Sequence, residues 1–105
     1  LTYTLNKIET MNIKSIHTEE KPVSAKKVFS TTEGNVTALQ IKATGVLKEH
    51  ITAVPALLIC INGNAVFKNE NGVMENLSSG DMVNIEPNVK HWVEGIQDTQ
   101  LVLIK

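Results

Sequence analysis

Turn signals interrupt this chain so often that no long helix has room to form. Gly34-Asn35, Gly45, Pro55, Asn62-Gly63, Asn71-Gly72, Ser79-Gly80-Asp81 and Pro87-Asn88 break it at short intervals. Glycine and asparagine tolerate positive φ and proline fixes φ, so each cluster favours a bend. Between them lie short runs rich in β-branched and apolar residues, at 27–30, 36–43, 46–52, 56–61, 65–67, 73–77, 82–85, 91–94 and 100–104. That spacing predicts roughly eight or nine strands in a small antiparallel β-barrel or sandwich, with less than about 10% helix. Asn71-Gly72 reads as a two-residue hairpin turn. Residues 18–27 are polar and contain Pro22, so they read as a loop or irregular arm.

With 105 residues the chain suits one domain with a single core. Residues 1–34 read as an N-terminal arm with edge strand, and residues 35–105 as the barrel core. The 10 basic residues are all lysine and are balanced by 11 acidic ones, for a net charge of −1. Neither a nucleic-acid footprint nor a bidentate guanidinium clamp is expected. Cys60 is the one cysteine, which excludes an intrachain disulfide and a multi-cysteine zinc site. No apolar run is long enough to span a membrane as a helix, and no signal-peptide pattern opens the sequence. A soluble cytoplasmic protein with no membrane partner is the default expectation. The chain begins at Leu1, and Met11 is a candidate initiator with residues 1–10 upstream of it.

Two stretches carry a resemblance. Residues 45–63 read Gly-Val-Leu-Lys-Glu-His-Ile-Thr-Ala-Val-Pro-Ala-Leu-Leu-Ile-Cys-Ile-Asn-Gly, and residues 80–95 read Gly-Asp-Met-Val-Asn-Ile-Glu-Pro-Asn-Val-Lys-His-Trp-Val-Glu-Gly. In order and separation they are similar to the two motifs of the small single-domain cupins, through Gly45, His50, Gly63, Gly80, Asp81, Pro87 and His91. The resemblance covers roughly residues 35–104 and implies an RmlC-like double-stranded β-helix, the cupin jelly roll. It also implies a ligand site inside the barrel. Metal-binding cupins take two His and a Glu from the first motif and one His from the second. Here His50 and His91 match, while Thr52 and Ala56 occupy the other two positions. Two imidazoles are a short ligand set beside the three protein ligands of a typical catalytic metal site. No cofactor is assured on this reading; a divalent metal such as Zn, Ni, Fe or Mn would need non-protein ligands.

The resemblance places His50 and His91 inside the barrel, where desolvation and mutual repulsion would keep both neutral near pH 7. Without it, two unrelated and locally satisfied histidines would be the simpler reading. In a regular strand, His50 would share its face with Val46, Lys48 and Thr52. Ala56, Leu58 and Cys60 share the face that carries the ligand position, so they are expected to line the pocket beside His50, His91 and Thr52. Cys60 reads as a buried inert thiol in the pocket wall. His17, in the polar N-terminal region, reads as a solvated imidazole. Trp92 reads as a core or interface anchor and Asp81 as a turn residue.

Alternation then sends Leu57, Ile59 and Ile61 outward. Three large apolar side chains on one exposed strand predict a cover, either a second copy in a homodimer or the chain's own N-terminal arm. Three functional readings follow. The leading one is a stand-alone cupin-type protein that binds a small molecule in its barrel, with no assigned reaction. The second is a metal-dependent oxygenase or isomerase using His50 and His91. The third is a regulatory effector-binding module acting with a partner, since the chain has no DNA-binding helix of its own.

Overall fold

The computed structural model describes residues 10–105, so residues 1–9 of the expected arm lie outside the described residues. Nine strands follow one another: β1 (Val23–Ser30), β2 (Asn35–Ile41), β3 (Val46–His50), β4 (Ala56–Asn62), β5 (Asn64–Asn69), β6 (Met74–Ser78), β7 (Met82–Ile85), β8 (His91–Gly95) and β9 (Thr99–Ile104). No helix occurs among the described residues. A five-stranded sheet has the order β1-β2-β9-β4-β7, and a four-stranded sheet has the order β3-β8-β5-β6. Every pairing is antiparallel. The expected all-β antiparallel architecture is therefore what the chain adopts.

The core lies between the sheets. Leu39, Ile41, Leu58, Cys60 and Leu101 come from the first sheet, and Ala65, Phe67, Leu77 and Val93 from the second; all are buried in one hydrophobic cluster. Period-two alternation is clearest in β4, where Ala56, Leu58 and Cys60 are buried, Leu57 and Ile59 are half-buried and Ile61 is exposed. The inward and outward assignment of this strand stands as read.

Three local expectations differ from the structure. The first strand starts at Val23 rather than 27, so the segment expected as a loop is largely strand. Its polar residues fit because β1 is a sheet edge, paired only with β2. Pro22 sits just before the strand, where no N–H is needed, and its carbonyl accepts from Lys42 N at 2.9 Å.

The Asn71-Gly72 turn is longer than two residues. Gly72 N donates to Asn69 O, Asn69 N donates to Val73 O, and only Gly72 has positive φ, at 85°. That is a type I turn closed by a glycine bulge, the three-residue alternative to a primed turn.

The third difference bears on the site. In the β3–β8 ladder Leu47 pairs with Val93, yet His50 pairs with His91. β3 therefore carries one more residue than β8 between these pairs, which is a β-bulge. The bulge places His50 on the side of Leu47, which packs on the core, rather than with Val46, which is 45% exposed. The expected face shared with Val46 and Lys48 is corrected accordingly. The strand also ends at His50, leaving Thr52 in the loop that follows.

Two glycines separate backbone strain from crowding. Gly72 has positive φ and nothing within 4 Å of an added Cβ, whereas at Gly63, φ 105°, an added Cβ would meet Asp98 O at 2.5 Å and Thr99 Cα at 2.7 Å. Gly72→Ala is expected to cost about 1–2 kcal/mol, the left-handed penalty alone, and Gly63→Ala distinctly more. Urea denaturation of the two variants checks the order.

Candidate functional site

The bulge and the β3–β8 pairing bring together two histidines 41 positions apart, counting from 50 to 91. Their ring centroids are 4.2 Å apart, with planes tilted by 59°. His91 is 2% exposed, and the Phe67 ring stacks on it at 5.8 Å between centroids. His50 is half-buried.

Both rings are held the same way. His50 Nδ1 lies 2.9 Å from Lys48 O and His91 Nδ1 lies 3.1 Å from Val89 O. A carbonyl can only accept, so each Nδ1 must carry the proton and donate. In the neutral ring the proton is then off Nε2, and its lone pair is available. Among the described residues, no Nε2 hydrogen bond engages either ring.

Burial pushes the His91 pKa below its ordinary value of 6.5, and the charges of His50 and Lys105 push it the same way. The hydrogen bond to Val89 O opposes them without prevailing. The site therefore favours a neutral, accepting His91 at neutral pH.

The other expected site residues divide. Ala56 faces inward and is 5% exposed, but a methyl group offers no donor or acceptor. Leu58 and Cys60 are sealed in the hydrophobic cluster. The Cys60 thiol is pushed upward in pKa by burial and by the Asp81 charge, against a smaller effect of a backbone hydrogen bond at Asn62, as an inert thiol would be. Thr52 is buried, but it serves its own loop: its hydroxyl donates to Val54 O at 2.8 Å, and its carbonyl accepts from Asn88 N at 2.8 Å. Thr52 also lines an open cleft of about 420 Å³ with Thr31, Glu33, Asn35, Ile51 and Lys105. Lys105 thus belongs both to this cleft and to the electrostatics of His91. Sequence reasoning missed Lys105, for nothing at the end of a strand run marks it. Among the described residues, no group of three or more His, Cys, Asp or Glu is placed to hold a metal.

Elsewhere, Asp81 acts as a turn residue, its Oδ2 accepting from Ser78 N at 2.9 Å and Ser78 Oγ at 3.1 Å. Trp92 is half-buried in β8 on the alternate parity to His91 and Val93. His17 is not the solvated imidazole expected. Its Nδ1 lies 2.7 Å from Ser24 Oγ, and its Nε2 is buried without a partner.

No family model matches the sequence, and no curated protein does. Solved structures do. A conserved protein of unknown function from Streptococcus pyogenes superposes with a TM-score of 0.78 at 10% identity, covering 95% of this chain and 88% of that one. A cupin superfamily protein from Desulfitobacterium hafniense gives a TM-score of 0.78 at 14% identity over 89% and 84% of the two chains. The chain has the cupin fold. An RmlC-like cupin from Desulfovibrio desulfuricans agrees, with a TM-score of 0.74 at 13% identity over 94% and 91%. Identities this low concern the cupin fold and leave the chemistry to the residues of the site.

The lowered His91 pKa makes the stability of this cupin domain depend on pH. The unfolded chain takes up the proton near 6.5 and the folded one only below that, so stability is full above 6.5 and is lost as pH falls toward the folded value. The melting temperature is expected to be lower at pH 5.5 than at 7.5. His91→Gln should flatten part of that slope; His17, also lowered, contributes in the same direction. Thermal denaturation at a series of pH values checks this.

Proposed function

We propose that this cupin-type protein binds a small polar molecule at the His50–His91 pair. The observation that carries the reading is the pair of rings 4.2 Å apart between centroids, each tied to a backbone carbonyl through Nδ1. Two adjacent acceptors suit a ligand that presents O–H or N–H groups. The Lys105 side chain near His91 favours a ligand that also carries negative charge. The cleft lined by Thr52 and Lys105 is the approach we assign to it, since Lys105 also acts on His91. The expected result is that a small molecule retained by untagged protein, seen by native mass spectrometry, is lost in the His50→Ala/His91→Ala double variant. An unchanged adduct in that variant would remove the pair from the site.

A second reading has one observation in its favour. An Nδ1–H donated to a backbone carbonyl, with Nε2 left free, is the support that metal-ligating imidazoles generally have. His50 and His91 would hold a divalent cation, which would act as a Lewis acid or redox centre for an oxygenase or isomerase. Against it, the Thr52 hydroxyl is engaged by Val54 O and Ala56 has no donor atom. The residues present therefore fit a complete metal centre poorly. The natural protein is expected to bind Zn²⁺ weakly in calorimetry, and Thr52→His with Ala56→Glu to tighten it by at least about tenfold. Tight stoichiometric binding by the natural protein would favour the metal reading.

The outer face of the five-stranded sheet supports a partner of the same sequence. One cross-strand row runs Phe29, Val36, Ile104, Leu57 and Asn84; the next runs Lys26, Ala38, Val102, Ile59 and Met82. Lys26 is the one charged residue in these rows, so two copies can face each other across a two-fold axis with little like-charge repulsion. We propose a homodimer on the β9-β4-β7 part of this face, where Ile104, Ile61 and Met82 are exposed, away from β1, against which the residues preceding it lie. Leu57 and Ile59 are already half-buried, so covering them and Ile61 contributes less than the roughly 1.5–3 kcal/mol of fully burying each, before association entropy is subtracted. Light scattering at micromolar concentration is expected to give a dimer mass, and Ile59→Lys a monomer mass.

A further inference from the structure

The first described residues lie against the outer face of the five-stranded sheet. Residues 13–16 form a single turn, capped by Asn12, whose Oδ1 accepts from Lys14 N at 2.9 Å and Ser15 N at 3.2 Å. Ile16 N and His17 N donate to Asn12 O and Lys14 O, each at 3.2 Å, and finish the turn. The turn places Ile13, Ile16 and His17 toward the protein: these three are half-buried, while Met11, Asn12, Lys14 and Ser15 are exposed. Ile13 and Ile16 line a small hollow with Val28 of β1. His17 reaches Ser24, the outward-facing β1 residue that pairs with Gln40 and is 2% exposed. Beyond His17 the contacts are exposed ion pairs, Glu19–Lys26 at 3.3 Å and Glu20–Lys42 at 3.6 Å, until the backbone bond from Lys42 N to Pro22 O at 2.9 Å anchors the strap's end to the sheet. Such pairs contribute little.

We propose that residues 12–22 are a strap latched to the sheet by His17, and that acidification opens the latch. The argument is one of unpaired atoms. Ser24 Oγ can satisfy Nδ1 in either tautomer, but Nε2 is buried and has no partner among the described residues in either. A neutral ring bears that at moderate cost. A protonated ring would bury a charged N–H with no acceptor, a far larger penalty. Opening the strap gives both nitrogens to water and removes it.

The surrounding charges act in the same direction. Lys26, on β1, repels a charged His17, and both this and desolvation lower its pKa. The outward residues of β2 and β9 beside the latch, Gln40, Ala38, Gln100 and Val102, carry no charge. On the strap itself, the carboxylate of Glu19 is hydrogen-bonded by Lys26 and Lys21 and held below its usual range, so it stays ionised while His17 titrates. Lys14 faces solvent, and Glu20 pairs with Lys42. No described carboxylate is left to compensate a charged Nε2. The closed strap is therefore the form of the neutral ring, and each proton taken up favours the open form.

Amide hydrogen exchange by NMR tests this, with protection expressed relative to the intrinsic rate at each pH. In the natural protein, protection at Ile16 and His17 should fall between pH 7.5 and 5.5 by up to about tenfold per pH unit, the limit for one proton. Amides of Cys60 and Leu101 serve as the core reference: they report global opening, which the His91 titration also eases, and should stay better protected than Ile16 at both pH values. His17→Phe and His17→Gln should each abolish the pH response at Ile16. Ser24→Ala should lower protection there already at pH 7.5. Equal protection at both pH values in the natural protein, or an unchanged fall in both His17 variants, overturns the proposal. Protection at Ile16 equal to that at Cys60 and Leu101 at both pH values overturns it as well, because the strap would then open only by global unfolding.

Discussion

Between Leu47 and His50, the third strand carries one residue more than the stretch of β8 it pairs with, and the chemistry of the inner face depends on it. In a regular strand, a side chain three positions beyond an inward residue points outward. The bulge restores His50 to the inner side, opposite His91. The rest of the site follows from that placement. The two rings come within 4.2 Å, each Nδ1 finds the carbonyl two residues earlier, and each Nε2 is left without a partner among the described residues.

Packing fixes the site from below. Phe67 and Val93 on the four-stranded sheet, with Leu58, Cys60 and Leu101 on the other, fill the space between the sheets. Polar chemistry is displaced to the end where His50, Thr52 and Lys105 lie. The same division explains why the incomplete ligand set is coherent rather than damaged. The Thr52 hydroxyl ties its own loop, and Ala56 completes an apolar wall. Both positions have been given to packing, and the two histidines remain as the polar groups.

The strand pattern was legible because turn residues and alternating apolar runs are local signals, and β4 shows them at full strength. Convergence of His50 and His91 was legible only through motif order, since contact between β3 and β8 is set by topology. The bulge was not legible. Val46 to His50 contains no glycine, and nothing in five ordinary strand residues says that one is extra. The start of β1 was missed because an edge strand tolerates lysine and serine and so looks like a loop. His17 was missed for a related reason. Its burial comes from a capped turn docking on Ser24, whereas the composition around it is polar.

The two Nδ1–H bonds also settle when the site loses its freedom. An unrestrained imidazole samples several rotamers, and fixing a flexible side chain on binding costs about 0.5–1.5 kcal/mol. Here the carbonyls of Lys48 and Val89 hold both rings as soon as the strands pair. That entropy is lost during folding, so a molecule bound as proposed would meet rings already fixed. Weak individual contacts could then give useful affinity, which is how a site of two side chains would select its ligand.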